Sequence, residues 1–364
     1  MWYYITNETT STGGNFMLVK LKKEFSDFHE NIKKDKETST LIEKRDKLKS
    51  DIEKYLPDEL SEYGISVNKS DLRFINQGSY IIGTTIQSQD GQSVDLDYAV
   101  IIPMDKEEHD DPREVKKAVR ESLIINNIRI PKIKEPCVTV AYHANGEEFM
   151  HIDFPIYAEY GGKLYLARGK ETSENYDWEI ADPEGLSTYF LNKFSGNEQL
   201  KRIVRYIKKW KQEKYAGSTN SNEVPPSVGL TILACENFIK YSSDDGDDDL
   251  SSLYYTVNNI KNKFSVTRDE NAEIIEVDIS CDLPVEPYSD VFYKLKKSSA
   301  HMITFYKRLS KACENLNEAM NIDDEHEAAK KVVKVLGEEF DIPEKEVVDA
   351  KTSNKGEYSF GFQM

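Results

Sequence analysis

Apolar residues along this chain change their spacing twice, and each change marks a different kind of element. Between residues 17 and 55 the chain is rich in Lys, Glu and Leu, and Leu41, Ile42, Leu48, Ile52 and Leu56 recur at intervals that suit an amphipathic helix. Pro57 is expected to end it, because a proline inside a helix removes a donor and clashes with the preceding turn. From residue 66 to 103 β-prone runs take over: residues 93–102 read as a central strand, with Gly78 and Gly83 near an earlier turn and Asp90-Gly91 as a hairpin signal. A helix over 112–127 follows, with Pro112 in its first turn. Residues 137–142, 148–157 and 163–167 then read as three more strands, the first two joined through Asn145-Gly146.

After Gly169 the pattern switches to helix, and a second lobe is expected to begin at residue 184. Asp182-Pro183-Glu184 has the form of an N-cap, a proline at the first helical position and a first-turn acid. Helices are expected over 184–192, 197–214, 228–241, 288–320 and 323–336. The acidic run 242–252 lacks the final Glu of a Ca²⁺ loop and reads as a solvated loop. Residues 1–16 read as a polar extension, with Met17 an alternative native start, and 353–364 as a polar, mobile tail. The expected division is therefore 1–16, 17–183, 184–345 and 346–364.

At 364 residues the chain can bury a full core in two lobes. A formal net charge of −17, from 48 basic and 65 acidic residues, repels a nucleic acid backbone, so duplex DNA or RNA is not an expected partner. Cys137, Cys235, Cys281 and Cys313 are dispersed with no C-x-x-C pair, which argues against a zinc knuckle or a disulfide scaffold. Neither a signal peptide nor the run of roughly 18 apolar residues needed for a membrane span is visible. The expectation is a cytoplasmic protein with no membrane partner.

Chemistry concentrates in two short stretches, Gln77-Gly78-Ser79-Tyr80 and Asp95-Leu96-Asp97. Glycine permits close backbone approach, and a turn entering a helix leaves amides unpaired, so the Gly-Ser pair suits a triphosphate. In a strand, residues i and i+2 share a face roughly 6.6 Å apart, so both carboxylates can grip metal ions while Leu96 points into the core. Two-metal phosphoryl transfer calls for a third carboxylate, and Asp153, an acid within the apolar stretch 149–154, is the candidate. The apolar surroundings of Asp95 and Asp97 predict burial that cations would compensate. His151 shares the face of Asp153 but reads as structural, and Trp178 and Trp210 read as core. Most cations of the helix 201–210 are expected to be solvated, with one or two reaching a triphosphate.

With these residues in view the chain resembles the bacterial cGAS/DncV-like nucleotidyltransferases, the CD-NTases of CBASS antiphage operons. The resemblance runs through 25–33, 41–46, the turn at Gln77 with Gly83-Thr84 behind it, 182–185, 202–210, 226–231 and 328–337, and so covers about residues 17–343. It implies an α+β, bilobed fold: a polymerase-β-like nucleotidyltransferase core with a mixed β-sheet, plus a C-terminal helical lobe. It also implies that Asp95, Asp97 and Asp153 bind two Mg²⁺ ions, with Mn²⁺ able to substitute. Gln77, Gly78 and Ser79 would contact donor phosphates, and Lys208 and Ser227 would add triphosphate contacts, with Arg205 a rival to Lys208. The implied activity condenses nucleoside triphosphates, ATP and GTP or another, into a cyclic di- or trinucleotide that activates a defence effector. CBASS regulatory or conjugation proteins are implied partners, although Met364 departs from the small terminal residue of conjugated members.

Two alternatives stay open on the residues alone. Gly-Ser with three aspartates also serves enzymes that make linear oligonucleotides or modify an RNA, a protein or a small molecule. An inactive nucleotide-binding scaffold is the third reading, and the presence of all three aspartates speaks against it.

Overall fold

A computed structural model describes residues 19–34, 39–87, 94–124, 130–144 and 147–345. The expected turns at Asp90-Gly91 and Asn145-Gly146, the extension 1–16 and the tail 353–364 lie outside these residues.

Two helices, α1 (Lys22–Ile32) and α2 (Ser39–Ser61), lead into β1 (Arg73–Gln77), the single turn α3 (Gly78–Ile81) and β2 (Val94–Pro103). Then come α4 (Pro112–Leu123), β3 (Lys132–Ile133), β4 (Cys137–Ala144), β5 (Glu147–Tyr160), β6 (Lys163–Arg168) and β7 (Asp177–Ala181). The seven strands form one sheet in the order β1-β2-β5-β4-β3, with β6 and β7 continuing from the far half of β5. Only β2 and β5 run parallel; the other pairings are antiparallel, which makes the sheet mixed as expected.

Alternation along β2 sorts its side chains onto two faces. Leu96, Tyr98, Val100 and Ile102 join a core with Leu48, Ile52 and Leu56 of α2 and Val115 and Val119 of α4. Ala99 and Ile101 pack on the opposite face with Tyr157. Pro57 does not end α2 but lies inside it. Leu56 and Leu60 on either side are fully buried in the sheet core, and that packing outweighs the bond the proline removes. Ile42 falls off the apolar stripe and is exposed.

The remaining chain is mostly helical: α5 (Pro183–Phe194), α6 (Glu198–Lys214), α7 (Ser227–Asn237), the short hairpin β8 (Ser242–Ser243) and β9 (Gly246–Asp247), and α8 (Asp249–Lys261). The hairpin β10 (Ser265–Arg268) and β11 (Ile274–Asp278) precedes α9 (Ser299–Asn321) and α10 (Glu325–Leu336). Asp182 caps α5, its carboxylate accepting from the Gly185 amide at 2.7 Å, as the sequence predicts. Side chains of α6, α8, α9 and α10 build a second apolar core, which α1 joins through Phe25 and Phe28. Phe25 meets Tyr206 of α6 edge to face at 5.4 Å.

Four expectations need correction here. Strand β7 follows Gly169 before the helices begin, because Trp178 and Ile180 pair with β6 rather than starting a helix. Residues 288–298 are not part of the long helix; it starts at Ser299. Helix α8 and the β10-β11 hairpin, within a stretch the periodicity leaves without elements, are additional. The acidic run is not simply solvated: Asp248 caps α8, and the buried Asp249 accepts from Arg202 Nε at 2.7 Å and from Tyr206 Oη at 2.9 Å. Tyr206 and Arg202 together compensate the buried charge.

Candidate active site

Strand pairing brings the predicted site together. In register, Gln77 of β1 stands opposite Asp97 of β2, and Asp97 opposite Asp153 of the parallel strand β5. Asp95 lies opposite His151. Both aspartates of β2 occupy the face away from Leu96, which is completely buried.

The turn after β1 comes close to this row. Gly78 has φ +74°, and a Cβ there would fall 2.1 Å from Asp97 Oδ2, so no other residue fits without displacing the carboxylate. Ser79 and Thr85 exchange a hydroxyl hydrogen bond at 3.1 Å across the turn. Tyr157 Oη donates to Gln77 Oε1 at 3.2 Å, fixing that amide at the start of α3.

Around Asp153, Thr139 Oγ1 donates to Oδ1 at 2.5 Å and Lys134 Nζ lies 3.5 Å from the same oxygen. His151 Nε2 is 3.1 Å from Asp95 Oδ1, an interaction that raises the pKa of the imidazole. One ligand atom each of Asp95, His151 and Asp153 falls within a 4.8 Å span. Burial first, and then the neighbouring Asp95 and Asp153 charges, push the Asp97 carboxyl up to about 8. A cluster of carboxylates this short of compensating charge suits hard divalent cations such as Mg²⁺. Asp95 differs from expectation: its side chain is 57% exposed, because it stands where β2 enters the cleft rather than within the core. His151, expected to be structural, also lines the cleft.

These groups open into a cavity of about 690 Å³ between the sheet and the helices. Gln77, Gly78, Ser79, Asp95 and Asp97 line one side, and Lys208, Lys211 and Ser227 the other. Lys208 Nζ donates to Thr84 O at 3.0 Å and to Thr84 Oγ1 at 2.9 Å, which ties α6 to the turn behind Ser79. Burial, reinforced by Lys211 and Arg205, lowers its pKa to about 7. Lys211 Nζ donates to Ser227 Oγ at 2.7 Å, and burial lowers its pKa to about 8. Arg205 instead reaches Gly83 O and His29 Nε2, both at 2.7 Å, and does not line the cavity. The expectation that most of these helix cations are solvated fails, since Arg205, Lys208 and Lys209 are all buried. Lys211 was missed by sequence; its signal is the position one turn after Lys208 on the same face. Trp210 is core, and Trp178 is partly buried with Nε1 donating to His109 O at 2.8 Å.

Residues 72–157 match the family model of the cyclic GMP-AMP synthase DncV-like nucleotidyltransferase domain. Among solved structures, the Vibrio cholerae DncV cyclic AMP-GMP synthase with nonhydrolyzable GTP is 17% identical, with a TM-score of 0.64 over 88% of this chain and 97% of that one. The Bradyrhizobium diazoefficiens CD-NTase CdnG with GTP is 13% identical, with a TM-score of 0.64 over 87% and 95%. Vibrio cholerae DncV with the linear intermediate 5′ pppA(3′,5′)pG is 17% identical, with a TM-score of 0.55 over 88% and 87%. The fold of this chain is that of these enzymes. No helix among the described residues is long and apolar enough to cross a membrane.

Proposed function

We propose, for a chain that carries a DncV-like nucleotidyltransferase domain at residues 72–157 and belongs with the cGAS/DncV-like CD-NTases, that it condenses nucleoside triphosphates into a cyclic di- or trinucleotide with release of pyrophosphate. The observation that carries this reading is the row Gln77, Asp97, Asp153 on three adjacent strands, with Gly78 pressed against Asp97. The GTP and nonhydrolyzable GTP held by two structural neighbours support triphosphates as substrates, and the linear intermediate held by a third supports a stepwise route.

In this reading Asp95, Asp97 and Asp153 hold divalent metal, with His151 beside Asp95. Bound ions would neutralise the carboxylates, polarise the reacting phosphate and make the attacking hydroxyl more acidic. The Gly78 and Ser79 backbone cradles donor phosphates, and Gln77 orients them. Thr139 and Lys134 hold Asp153 in place through Oδ1, which leaves its other oxygen available to a metal or the attacking hydroxyl. Lys208 and Lys211 neutralise the triphosphate tail from the opposite wall, where Ser227 adds a neutral hydroxyl. The proposal extends to a division at about residue 183, to a cytoplasmic location and to a role for the product in antiphage defence.

The test is incubation with all four labelled nucleotides and Mg²⁺ or Mn²⁺, followed by phosphatase and mass spectrometry. A phosphatase-resistant cyclic product, preceded by a linear dimer that rises and then declines, is expected. Persistent phosphatase-sensitive linear products would instead select the linear-transfer alternative, and no incorporation at all would select the scaffold.

A further inference from the structure

A second cavity, of about 460 Å³, lies in the helical part of the chain between α8, α9 and the β10-β11 hairpin. It shares no lining residue with the cleft. Four cations line it: Lys261 from α8, Arg268 from β10, and Lys307 and Lys311 from α9. Glu314 is the one carboxylate among the lining residues, and it is already engaged by Lys311 at 2.8 Å. Such a concentration of positive charge is notable in a chain of net charge −17.

Three of the four cations have no ion-pair partner among the described residues. Lys307 and Lys311 are four residues apart on one helix face, where like charges repel. Lys261 and Lys307 have no ion-pair partner among the described residues. Arg268 Nη1 donates to the Ala272 carbonyl at 2.8 Å, and Arg268 has no ion-pair partner among the described residues. Ser310, between the two α9 lysines, lines the same cavity, and its buried hydroxyl has no hydrogen-bond partner. A buried hydroxyl without a partner is expensive unless a ligand supplies one. Tyr254 and Tyr306 give the walls a rigid, partly apolar rim.

We propose that this cavity binds a small phosphorylated anion carrying at least two negative charges. Lysine ammonium groups and an arginine converging from three elements suit phosphate oxygens, and Ser310 supplies a neutral hydrogen bond to one of them. The volume is ample for a group the size of a pyrophosphate or a mononucleotide.

Calorimetric titration of the full chain with inorganic pyrophosphate tests this, with EDTA present so that the cleft holds no metal-bound anion. One binding event is expected, weakened at least tenfold in Lys261→Ala/Lys307→Ala and several-fold in Ser310→Val. The single variant Lys307→Glu, at an exposed position, provides the same readout if the double variant folds poorly. Lys211→Ala, in the cleft, is expected to leave pyrophosphate affinity within twofold. Absence of binding to the unaltered chain, unchanged affinity in both the Lys261→Ala/Lys307→Ala double variant and Lys307→Glu, or loss of binding in Lys211→Ala would each overturn the assignment.

Discussion

Gly78 and Asp97 occupy nearly the same space: the position a Cβ would take on Gly78 is 2.1 Å from Asp97 Oδ2. The turn that offers backbone amides to a phosphate and the strand that carries the carboxylate are therefore packed as one unit. The left-handed φ of +74° adds a second reason for glycine.

Gly78→Ala is accordingly expected to push Asp97 out of register and strain the turn. Nucleotide condensation should fall at least a hundredfold, while stability drops by about 1–3 kcal/mol, the range for a strained left-handed residue. A product assay alongside thermal unfolding checks both, and a variant with normal turnover would show that the carboxylate position is not fixed by the turn.

Asp97→Asn should abolish product formation yet raise stability in EDTA. Burial and two neighbouring carboxylates hold Asp97 at about 8, above its ordinary value near 3.8. The folded chain therefore keeps a proton that the unfolded chain has lost, so stability falls as pH rises from about 4 to 8. The asparagine lacks this penalty, and its advantage in Tm should grow with pH across that window, to at least about 2 °C. An advantage that shrinks as pH rises would contradict the carboxylate crowding.

His29 makes the opposite acid-side prediction. Burial first, then Arg205 and Lys33, lower its pKa to about 4. Arg205 Nη1 lies 2.7 Å from Nε2, an arrangement that suits a neutral acceptor ring. Between pH 6.5 and 4 the unfolded chain takes up a proton that the folded chain refuses, so this contribution is intact above 6.5 and lost on acidification. His29→Gln keeps an acceptor without titrating. Its stability relative to the unaltered chain should improve on going from pH 7 to 4.5, by about 1–2 kcal/mol once solvent screening of a partly open ring is allowed for. Chemical denaturation at the two pH values measures it, and a pH-independent difference would exclude His29 as the titrating group.

Local chemistry was legible wherever one residue dictates it. Asp-x-Asp on a β-prone run predicted a strand with both acids on one face, and Asp182-Pro183 predicted a cap, since strand alternation and capping depend only on neighbours in sequence. Pro57 was misjudged because its local cost is overridden by Leu56 and Leu60 in the distant sheet core. Asp249 was misread for a related reason: its partners Arg202 and Tyr206 are more than 40 residues away in sequence. The exposure of Asp95 depends on where the cleft opens, which no residue within the strand reports. Most cations of α6 read as solvated, and Lys211 was passed over, because the segment gives no sign that Thr84 and Ser227 come to meet Lys208 and Lys211.

Those two lysines carry the last prediction. In the absence of nucleotide Lys208 is held at about 7 by burial and by the Lys211 and Arg205 charges, and Lys211 at about 8 by burial. Near pH 8 a substantial share of both is therefore neutral, although each faces the cavity that also holds Ser79 and Asp97. A triphosphate entering there favours the ammonium forms, so binding draws protons from solution and weakens as pH rises from 7 to 9. Calorimetry in buffers of different ionisation heats should register net proton uptake of a fraction of a proton or more per nucleotide. Lys211→Ala should weaken nucleotide binding by about tenfold, or about 1.4 kcal/mol, and reduce the uptake. Lys208→Ala should do the same and, by freeing Thr84, lower stability as well. If affinity stays flat from pH 7 to 9, or if Arg205→Ala rather than either lysine variant removes the proton uptake, the triphosphate does not lie against this wall of the cleft.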